Sequence, residues 1–505
     1  ILVFHAGNVS AQSAHIQRLA EELDAKTELI EKNRKVIRTL HERINSLEQQ
    51  SKSKTKTLKE MRLRLQQIAL LKTEIQNIEA RLTEKVTSKK GQDGKMAIHA
   101  EVRIRPEYTV NREDLNNDTD DSDAFWGHRV RFSADFGHDT WMRARVQIQE
   151  SRTFGSNINK DGTLSLHQAW MELKPPELKG FRIRAGRMEL TYGKERLIGR
   201  DDFSRNGRAF DGVVARMGHL PYFDIEVFYT KIRESTTGGD QDFYGAYMET
   251  RAVPLTVIQA YVMGLNNEQT KGSDAPGSAG TQVYKTHIWT TGGRVDAHFM
   301  NDTIHLEGEA VVQLGKLTDP RNATRDLDHF ATAFYAELSY QAPIATLPTL
   351  GAFFVQASGD GNPEDGKSVG FYPLFPTRHS FLGTMDLFAW RNIRDFGAKL
   401  ELTPPGGFGF FAAFHYLQLY TDKGQLSGLG TSKTPKPDQP IGRNIGIEID
   451  TALSWAPNDQ LQVQLGYSIF MPSTVTKELK ICGNKALEGS CDAAQWAYLQ
   501  TRLRF

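Results

Sequence analysis

The chain has 505 residues, of which 39% are hydrophobic and 24% charged, and its formal net charge at pH 7 is +1. That length allows two or three domains. The balanced charge gives no overall attraction to nucleic acid, so no nucleic-acid partner is expected. A transmembrane helix needs about 20 mostly apolar residues, and no such run is present, but a barrel strand needs only about 9–11 residues, half of them polar. The composition is therefore compatible with a membrane protein built from strands.

The first residues resemble the end of a secretory signal peptide. Residues 1–4 are apolar, and Val9, Ser10 and Ala11 form a small-residue cleavage pattern. We interpret residues 1–14 as a signal-peptide remnant or a disordered N-terminus, with a mature chain beginning near Gln12.

Residues 15–88 have a different composition, rich in Lys, Arg, Glu, Gln and Leu and without Pro or Gly. Their apolar residues follow a heptad, with Ile16, Leu23, Ile30, Ile37 and Ile44 at position a and Leu19, Leu40 and Leu47 at position d. The pattern predicts a coiled coil about 105 Å long at 1.5 Å per residue. Because a barrel crosses an apolar band only about 25 Å tall, this helix must project away from the membrane. A lone amphipathic helix packed on the barrel is the alternative.

The oligomeric state of the coiled coil is not fixed by its seam. Ile at a with Leu at d favours parallel dimers, whereas the polar d residues Lys26 and Asn33 weaken that preference. We favour a trimer over a dimer. Residues 89–95 are predicted to form a polar linker to the next domain.

Residues 96–505 show the period-two pattern of strands with one apolar and one polar face. Apolar and charged or polar side chains alternate from Ile98 to Arg105, from Arg129 to Phe136 and from Met142 to Gln149. The final strand alternates in the same way and ends on Phe505, like an outer-membrane insertion signal. The predicted fold is an all-β transmembrane antiparallel β-barrel, preceded by a long α-helical coiled coil.

Turn signals divide this region into eighteen strands, predicted at 96–108, 125–137, 140–152, 163–174, 180–193, 208–218, 221–232, 241–252, 255–266, 283–299, 302–315, 329–342, 348–358, 393–403, 408–420, 442–455, 460–471 and 493–505. An even number places both ends of the barrel on one side of the membrane. Since the C-terminus of such barrels is periplasmic, the coiled coil is expected in the periplasm and the loop before the last strand outside.

With the apolar face outward, strands one, two, three and five and the last strand direct a set of arginines into the lumen. They are Arg103, Arg105, Arg129, Arg131, Arg143, Arg145, Arg182, Arg184, Arg502 and Arg504. The middle strands instead supply Asp296, Glu307, Glu309 and Glu337. Opposed basic and acidic walls would orient charged solutes, and the arginine fork suits carboxylates. The alternative is that these charges only keep the lumen hydrated and pair across strands.

The two cysteines, Cys482 and Cys491, lie in a loop just before the last strand. A disulfide between them is expected if the loop faces an oxidising compartment; two free thiols are the alternative. The 14 histidines show no spacing typical of a metal site, and no nucleophile–base set or phosphate loop is present. The sequence therefore predicts a protein that is not an enzyme and needs no cofactor or metal.

Three regions carry a family resemblance: Arg184–Gly193 with Arg196–Gly199, Arg205–Val213, and Phe375–His379 with Gly383–Asn392. They resemble the alginate-export porin family of Gram-negative outer membranes, over most of residues 95–505. The resemblance implies an eighteen-stranded barrel with an arginine-rich constriction that passes an anionic polysaccharide. The candidates for lining that constriction, or for pinning an inward-folded loop, are Arg187, Arg196, Arg205, Arg208 and Arg378.

The predicted function is that of an outer-membrane porin passing anionic solutes or anionic polysaccharide, oligomerised by a periplasmic coiled coil. The alternative is a structural tether, in which the coiled coil reaches the cell wall or the inner membrane. The expected partners are outer-membrane lipid and lipopolysaccharide, further copies of this chain, and peptidoglycan or an inner-membrane component.

Overall fold

The structure is a computed structural model that describes residues 31–32, 35, 38–39, 42–43, 96–119, 121–137, 141–155, 163–218, 222–233, 240–272, 281–300, 302–344, 346–435, 441–483 and 491–505. The chain divides into two units, residues 1–94 and 95–505. In the first unit the seven described residues are helical and exposed. The signal-peptide remnant, the a and d positions of the coiled coil and the linker all lie outside the described residues. No helix in the described ranges is long and apolar enough to cross a membrane.

Among the described residues of the second unit, eighteen antiparallel strands form a barrel. They are β1 (Met96–Val110), β2 (Asp123–Phe136), β3 (Met142–Phe154), β4 (Thr163–Leu173), β5 (Phe181–Met188), β6 (Phe210–Met217), β7 (Phe223–Arg233), β8 (Gln241–Thr250), β9 (Thr256–Gly272), β10 (Thr281–Phe299), β11 (Ile304–Asp319), β12 (Asn322–Gln341), β13 (Thr349–Ala357), β15 (Ile393–Leu402), β16 (Phe408–Leu419), β19 (Asn444–Trp455), β20 (Leu461–Pro472) and β21 (Ala494–Arg504). Each strand pairs with the next, and β1 pairs with β21, which closes the barrel. The predicted eighteen-stranded barrel is confirmed.

Three further strands are short and belong to loops. β14 (Lys367–Ser368) pairs in parallel with β12, and β17 (Leu426–Gly428) forms a small hairpin with β18 (Thr431–Lys433). A 3-10 turn at Arg378–Ser380 and a one-turn helix at Thr474–Glu478 are also found in loops.

Some strand ends differ from the predictions, because backbone pairing does not always begin or end where the alternating apolar pattern does. β12 begins at Asn322, seven residues before the predicted start, because its polar first half pairs with β11 without an apolar face to mark it. β5 ends at Met188 rather than at residue 193, because the chain there leaves the sheet.

The barrel is apolar outside and charged inside. Phe132, Leu338 and Leu465 each expose about half of their surface, whereas Arg129 and Asp450 are buried. A water-soluble protein shows the opposite distribution. Hydrocarbon around the strands explains it, since a lipid-exposed face must be apolar and a lumen holds the polar side chains.

The two rims differ in the length of their connections. On the rim that carries both ends of the barrel, turns such as 137–141, 251–255 and 456–460 are short. The opposite rim carries the long segments 189–209 and 358–392 and the disulfide-bonded loop before β21. Short turns are typical of the periplasmic side of such barrels and long loops of the extracellular side.

Among the described residues, strand register aligns three like charges across neighbouring strands at two places in the lumen. Arg103 pairs with Arg129 on one side and with Arg502 on the other; we call these three residues the arginine row. Glu307 pairs with Asp296 and with Glu337; we call these three the acidic row. Like charges directly opposite each other destabilise a sheet unless a counter-charge lies between them.

Candidate functional site: the lumenal constriction

Two loops turn inward from the long-loop rim and meet in the lumen. The first lumenal loop, residues 189–209, joins β5 to β6, and the second lumenal loop, residues 358–392, joins β13 to β15. Their backbones bond directly, with Phe375 N donating to Leu197 O at 2.8 Å and Gly199 N donating to Phe375 O at 2.9 Å. Ile198 of the first loop also forms a parallel bridge with Phe375 of the second, and buried apolar side chains of both loops, including Ile198 and Met385, belong to one apolar cluster. The loops therefore form one structure that narrows the lumen.

The close approach of the two loops depends on Gly199 and Thr377. The Thr377 hydroxyl donates to Glu195 Oε2 at 2.5 Å and accepts from Asp201 N at 2.9 Å. A Cβ on residue 199 would lie 2.2 Å from the Thr377 Oγ1 atom, so only glycine fits. Glu195 and Asp201 both have positive φ angles, 63° and 50°, which is uncommon for residues with side chains.

The first lumenal loop supplies the counter-charge for the arginine row. Asp202 Oδ1 accepts hydrogen bonds from Arg129 and Arg131, each at 2.8 Å, and its Oδ2 accepts one from Arg502 at 3.1 Å. Arg103 donates to the backbone oxygens of Asp202 and Ser204, both at 2.6 Å. The loop therefore binds the row through a carboxylate and through carbonyl oxygens.

The ionisation of Asp202 follows from these contacts. Burial alone would raise the pKa of its carboxyl, but the positive charges of Arg129, Arg131 and Arg502 outweigh burial, and the pKa lies well below its ordinary value. Asp202 is thus a carboxylate at any physiological pH.

The aromatic ring of Phe203 closes the space beside this cluster. The Arg105 guanidinium lies 4.1 Å from the centre of the ring and donates to Phe203 O at 2.8 Å. On the other side His379, from the second lumenal loop, stacks on the same ring at 3.4 Å. Phe203, which belongs to the first lumenal loop, therefore contacts both the basic wall of the barrel and the second lumenal loop.

The same loop also supplies a counter-charge for the acidic row. Arg196 Nη1 donates to Glu307 at 2.6 Å and to Glu309 at 3.1 Å, and its guanidinium lies 3.4 Å from the centre of the Tyr335 ring. Burial alone would lower the pKa of Arg196, but the two carboxylates outweigh burial and raise it, so the side chain remains charged. Arg294 and Lys399 pair with the other acids of the row.

The second lumenal loop is held by another group of lumenal side chains. Thr384 Oγ1 donates to Asp450 Oδ1 at 2.5 Å, and Met385 N donates to Glu448 Oε1 at 2.9 Å. Farther round the barrel, Tyr372 N donates to Gln313 Oε1 at 2.8 Å. The loop is thus fixed to β11, β19 and its neighbours while it contacts the first loop.

The structure separates the arginines predicted to line the pore into two groups. Arg103, Arg105, Arg129 and Arg131 face the interior but are buried beneath the first lumenal loop. Nearer the short-turn rim, Arg143, Arg145 and Arg184 expose about a third of their side chains and pair with Asp135 or Glu172. A cavity of about 200 Å³ there is lined in part by Arg182, Arg184, Arg216, Glu172 and Glu226. Arg502 contacts Asp202, and Arg504 pairs with Glu101.

Four of the five arginines from the family-like segments lie in the lumenal loops. Arg196 is described above, and Arg208 donates to the backbone oxygens of Gly199, Phe375 and Pro376. Arg205 lies in the first loop, where burial lowers its pKa, and Arg378 is exposed in the second.

Arg187 does not belong to the constriction. It pairs with Asp211 across β5 and β6, and Asp211 shares its face of β6 with the exposed Val213 rather than with the buried Phe210. The Arg187–Asp211 ion pair, 3.0 Å long, therefore faces the outside of the barrel. The assignment of Arg187 to the constriction came from the family resemblance and is wrong, because unbroken alternation from the lumenal Arg184 places residue 187 on the outer face of β5.

A disulfide joins Cys482 to Cys491 in the loop between β20 and β21. The loop lies on the long-loop rim, next to the loop that joins β1 to β2. Asp492 N donates to Leu115 O of that loop at 2.9 Å.

The sequence analysis did not identify a group formed by Asp296, His298 and His305, whose ligand atoms lie within 4.8 Å of one another. Asp296 and His298 share a strand face, and the turn after β10 places His305 opposite His298. A signal was present in the Asp-x-His spacing, but pairing across the turn depends on register that the sequence does not show.

The family comparison agrees with this architecture. The sequence profile described as "Alginate export" matches residues 95–479, which covers all but the last part of the barrel. The chain belongs to the alginate export family. No curated protein sequence matched the chain. As a member of this family with a barrel apolar outside, the protein is an outer-membrane porin.

Solved structures of outer-membrane proteins share the fold. OpdO of Pseudomonas aeruginosa superposes with a TM-score of 0.53 at 12% identity, covering 81% of this chain and 97% of its own. OccAB2 of Acinetobacter baumannii gives 0.52 at 11% identity, covering 81% and 98%. OpdK of Pseudomonas aeruginosa, solved with vanillate, gives 0.51 at 13% identity, covering 81% and 98%. At these identities the similarity concerns the fold.

Proposed function

We propose that this porin passes anionic solutes that carry carboxylates, including carboxylated polysaccharide. The observation that carries the proposal is the binding of the Asp202 carboxylate by Arg129, Arg131 and Arg502. A carboxylate belonging to the chain itself here occupies an arginine cluster inside the lumen. The guanidinium forks that bind it are the groups that would recognise the same chemistry in a solute.

The path of such a solute would pass the accessible arginines before or after the constriction. Arg143, Arg145 and Arg184 are only partly covered and form a basic surface on β3 and β5. Glu226 and Glu249 face the same region from β7 and β8, where they line a neighbouring cavity of about 230 Å³. The field between surfaces of opposite charge would orient an anion with its carboxylate toward β3 and β5.

Two sources of carboxylate are compatible with this chemistry. The family description names alginate, a polymer with a carboxylate on each sugar, and one structure of the same fold, OpdK, was solved with vanillate, a small carboxylate. The feature common to both is a carboxylate carried on a ring. The proposed class of solute is therefore a carboxylate carried on a ring. Competition between alginate and vanillate would show which of the two kinds the channel prefers.

The decisive experiment is the reversal potential of the purified barrel in a planar bilayer under a salt gradient. An anion-selective channel gives a potential of the sign set by the anion. Arg143→Gln with Arg145→Gln should shift that potential toward zero, since both charges are partly exposed to the lumen. A cation-selective or unselective wild type, or an unchanged potential in the double variant, would contradict the proposal.

The source of the carboxylate is tested on the same bilayer. Current block by oligouronate but not by vanillate would assign the channel to polysaccharide, whereas block by vanillate alone would assign it to small carboxylates. Neutral oligosaccharide of equal length is the control for steric block.

We further propose that residues 15–88 hold barrels together as a trimer in the periplasm. The support is the heptad of apolar residues in the sequence. Light scattering of the detergent-solubilised chain with and without residues 1–90 tests this. A deletion that leaves the oligomer intact, yet weakens attachment of the envelope, would favour the tether.

A further inference from the structure

Close to its turn, the β10–β11 hairpin brings two imidazoles and one carboxylate together on the inner face of the barrel. His298 pairs directly with His305 across the hairpin, and their rings stack with centres 4.5 Å apart. Asp296 Oδ1 lies 2.7 Å from His305 Nε2 and 3.2 Å from His298 Nε2. All three side chains are on the inner face, since they alternate with the exposed Val295, Phe299 and Leu306. Three potential ligand atoms therefore converge on one point.

Each of these groups is oriented by a contact at its other polar atom. His298 Nδ1 lies 2.5 Å from Asp302 Oδ1, His305 Nδ1 lies 3.3 Å from Ser339 Oγ, and Asp296 Oδ2 accepts from Arg294. Outer contacts of this kind fix the ring orientation of metal-binding histidines and of the carboxylates beside them. The arrangement thus has both the inner atoms and the outer partners of a ligand set.

The contacts of His298 leave its second ring nitrogen directed to the centre of the group. A carboxylate at residue 302 accepts from His298 Nδ1, so the contact with Asp302 uses that nitrogen as the donor. His298 Nε2 lies 3.2 Å from Asp296 Oδ1, a separation that two ligand atoms of one metal ion can have. A metal ion at that point would bond both atoms.

We propose that Asp296, His298 and His305 bind a divalent transition-metal ion at the lumen mouth. Two imidazoles and one carboxylate, with further positions open to water, suit Zn²⁺ and its neighbours rather than Mg²⁺ or Ca²⁺, which take oxygen ligands. The ligand atoms lie within 4.8 Å of one another, and small side-chain movements bring them to bonds of about 2.0–2.2 Å. The partly exposed rings leave the ion a path from the lumen. Because Asp296 belongs to the acidic row, a bound ion would add positive charge at one end of that row.

The test is a Zn²⁺ titration of the full chain, purified without a histidine tag and stripped with chelator. Competition with a chromophoric chelator should give one saturable site per chain that His298→Ala and His305→Ala each abolish. His287→Ala is the matched control, because His287 lies on the same strand but faces outward, beside Asn266. That variant should leave the affinity unchanged.

A milder variant guards against misfolding. Asp302→Asn keeps the three ligands but replaces the carboxylate beside His298 Nδ1 with a neutral, weaker amide acceptor, and should weaken Zn²⁺ binding about 10- to 100-fold. Zinc X-ray absorption should show two imidazole nitrogens. The proposal is overturned if no saturable site exists in the folded wild type, if His298→Ala binds as the wild type does, or if Mg²⁺ competes equally with Zn²⁺.

Discussion

The arginine row and the acidic row both place like charges side by side, but different groups neutralise them. Both arise because strand register aligns like charges across three neighbouring strands. The acidic row is neutralised partly by cations of the barrel itself, Arg294 and Lys399, and partly by Arg196. The arginine row has Glu101 nearby but relies on Asp202 and on loop carbonyl oxygens. The first lumenal loop, which offers Asp202 to one row and Arg196 to the other, is therefore attached to both sides of the lumen.

The two attachments differ in burial. At the acidic side, Arg196 and Glu307 expose 3% and 4% of their side chains, whereas Asp202 at the arginine side exposes 22%. Removing one member of a buried ion pair leaves the other charge unpaired in a medium of low polarity. Water reaches Asp202 and moderates such a loss. The acidic-side attachment should therefore be the costlier one to break.

Replacing Arg196 by methionine should have the largest effect. The change leaves Glu307 and Glu309 buried without the cation that bridges them, at an expected cost of about 3–5 kcal/mol to loop attachment. Amide hydrogen exchange of the segment around Leu197 and Ile198 should rise, and single-channel current should become noisier.

Arg200→Met is the matched control for Arg196→Met. Arg200 lies in the same loop, but its side chain is half exposed and its contact with Glu195 is 3.6 Å long. Exchange and current noise should stay at wild-type values. Equal effects of the two variants would show that burial of the Arg196 pair does not govern loop attachment.

Asp202→Asn should have an intermediate effect, because it removes the charge that Arg129, Arg131 and Arg502 share. Hydrogen bonds to charged groups contribute about 1.5–3 kcal/mol each at most, and the asparagine oxygen retains part of the interaction. Detachment would also expose the arginines, so anion preference in the reversal potential should increase. A fall in anion preference would contradict this assignment.

Acid should not imitate the Asp202→Asn change. A carboxyl whose native pKa is lowered stabilises the attachment above its unfolded pKa of about 3.9 and loses that contribution only as pH falls toward the lower native value. Exchange at the first lumenal loop should thus be unaffected by Asp202 between pH 8 and pH 5. A transition in that range that persists in Asp202→Asn would have to come from other groups.

Arg187→Gln should have the smallest effect. The Arg187–Asp211 pair is largely exposed and faces outward, and exposed pairs contribute under about 1 kcal/mol. Reversal potential and conductance should equal those of the wild type. A shift as large as that of the Arg143 and Arg145 double variant would place Arg187 in the lumen.

Much of the architecture was predictable because the two faces of a barrel strand appear in the sequence as alternating apolar and polar residues. The alternation around Arg103 and Arg129 gave the direction of each side chain, and turn signals gave the strand number. Two specific predictions, the place of Arg187 and the start of β12, differ from the structure. The family resemblance suggested the constriction for Arg187, although alternation from Arg184 places it on the outer face, and the polar first half of β12 pairs without an apolar pattern.

The amino-acid sequence by itself determined the barrel, its eighteen strands and the presence of an arginine-rich side, because these depend on period-two patterning and local turns. Only the tertiary structure decided that Arg103 and Arg129 lie under a loop, that Asp202 and Arg196 are the charges that hold that loop, and that His298 meets His305. Such contacts join residues far apart in the chain or across a hairpin, and they depend on register and loop path. Local sequence preferences do not encode either one.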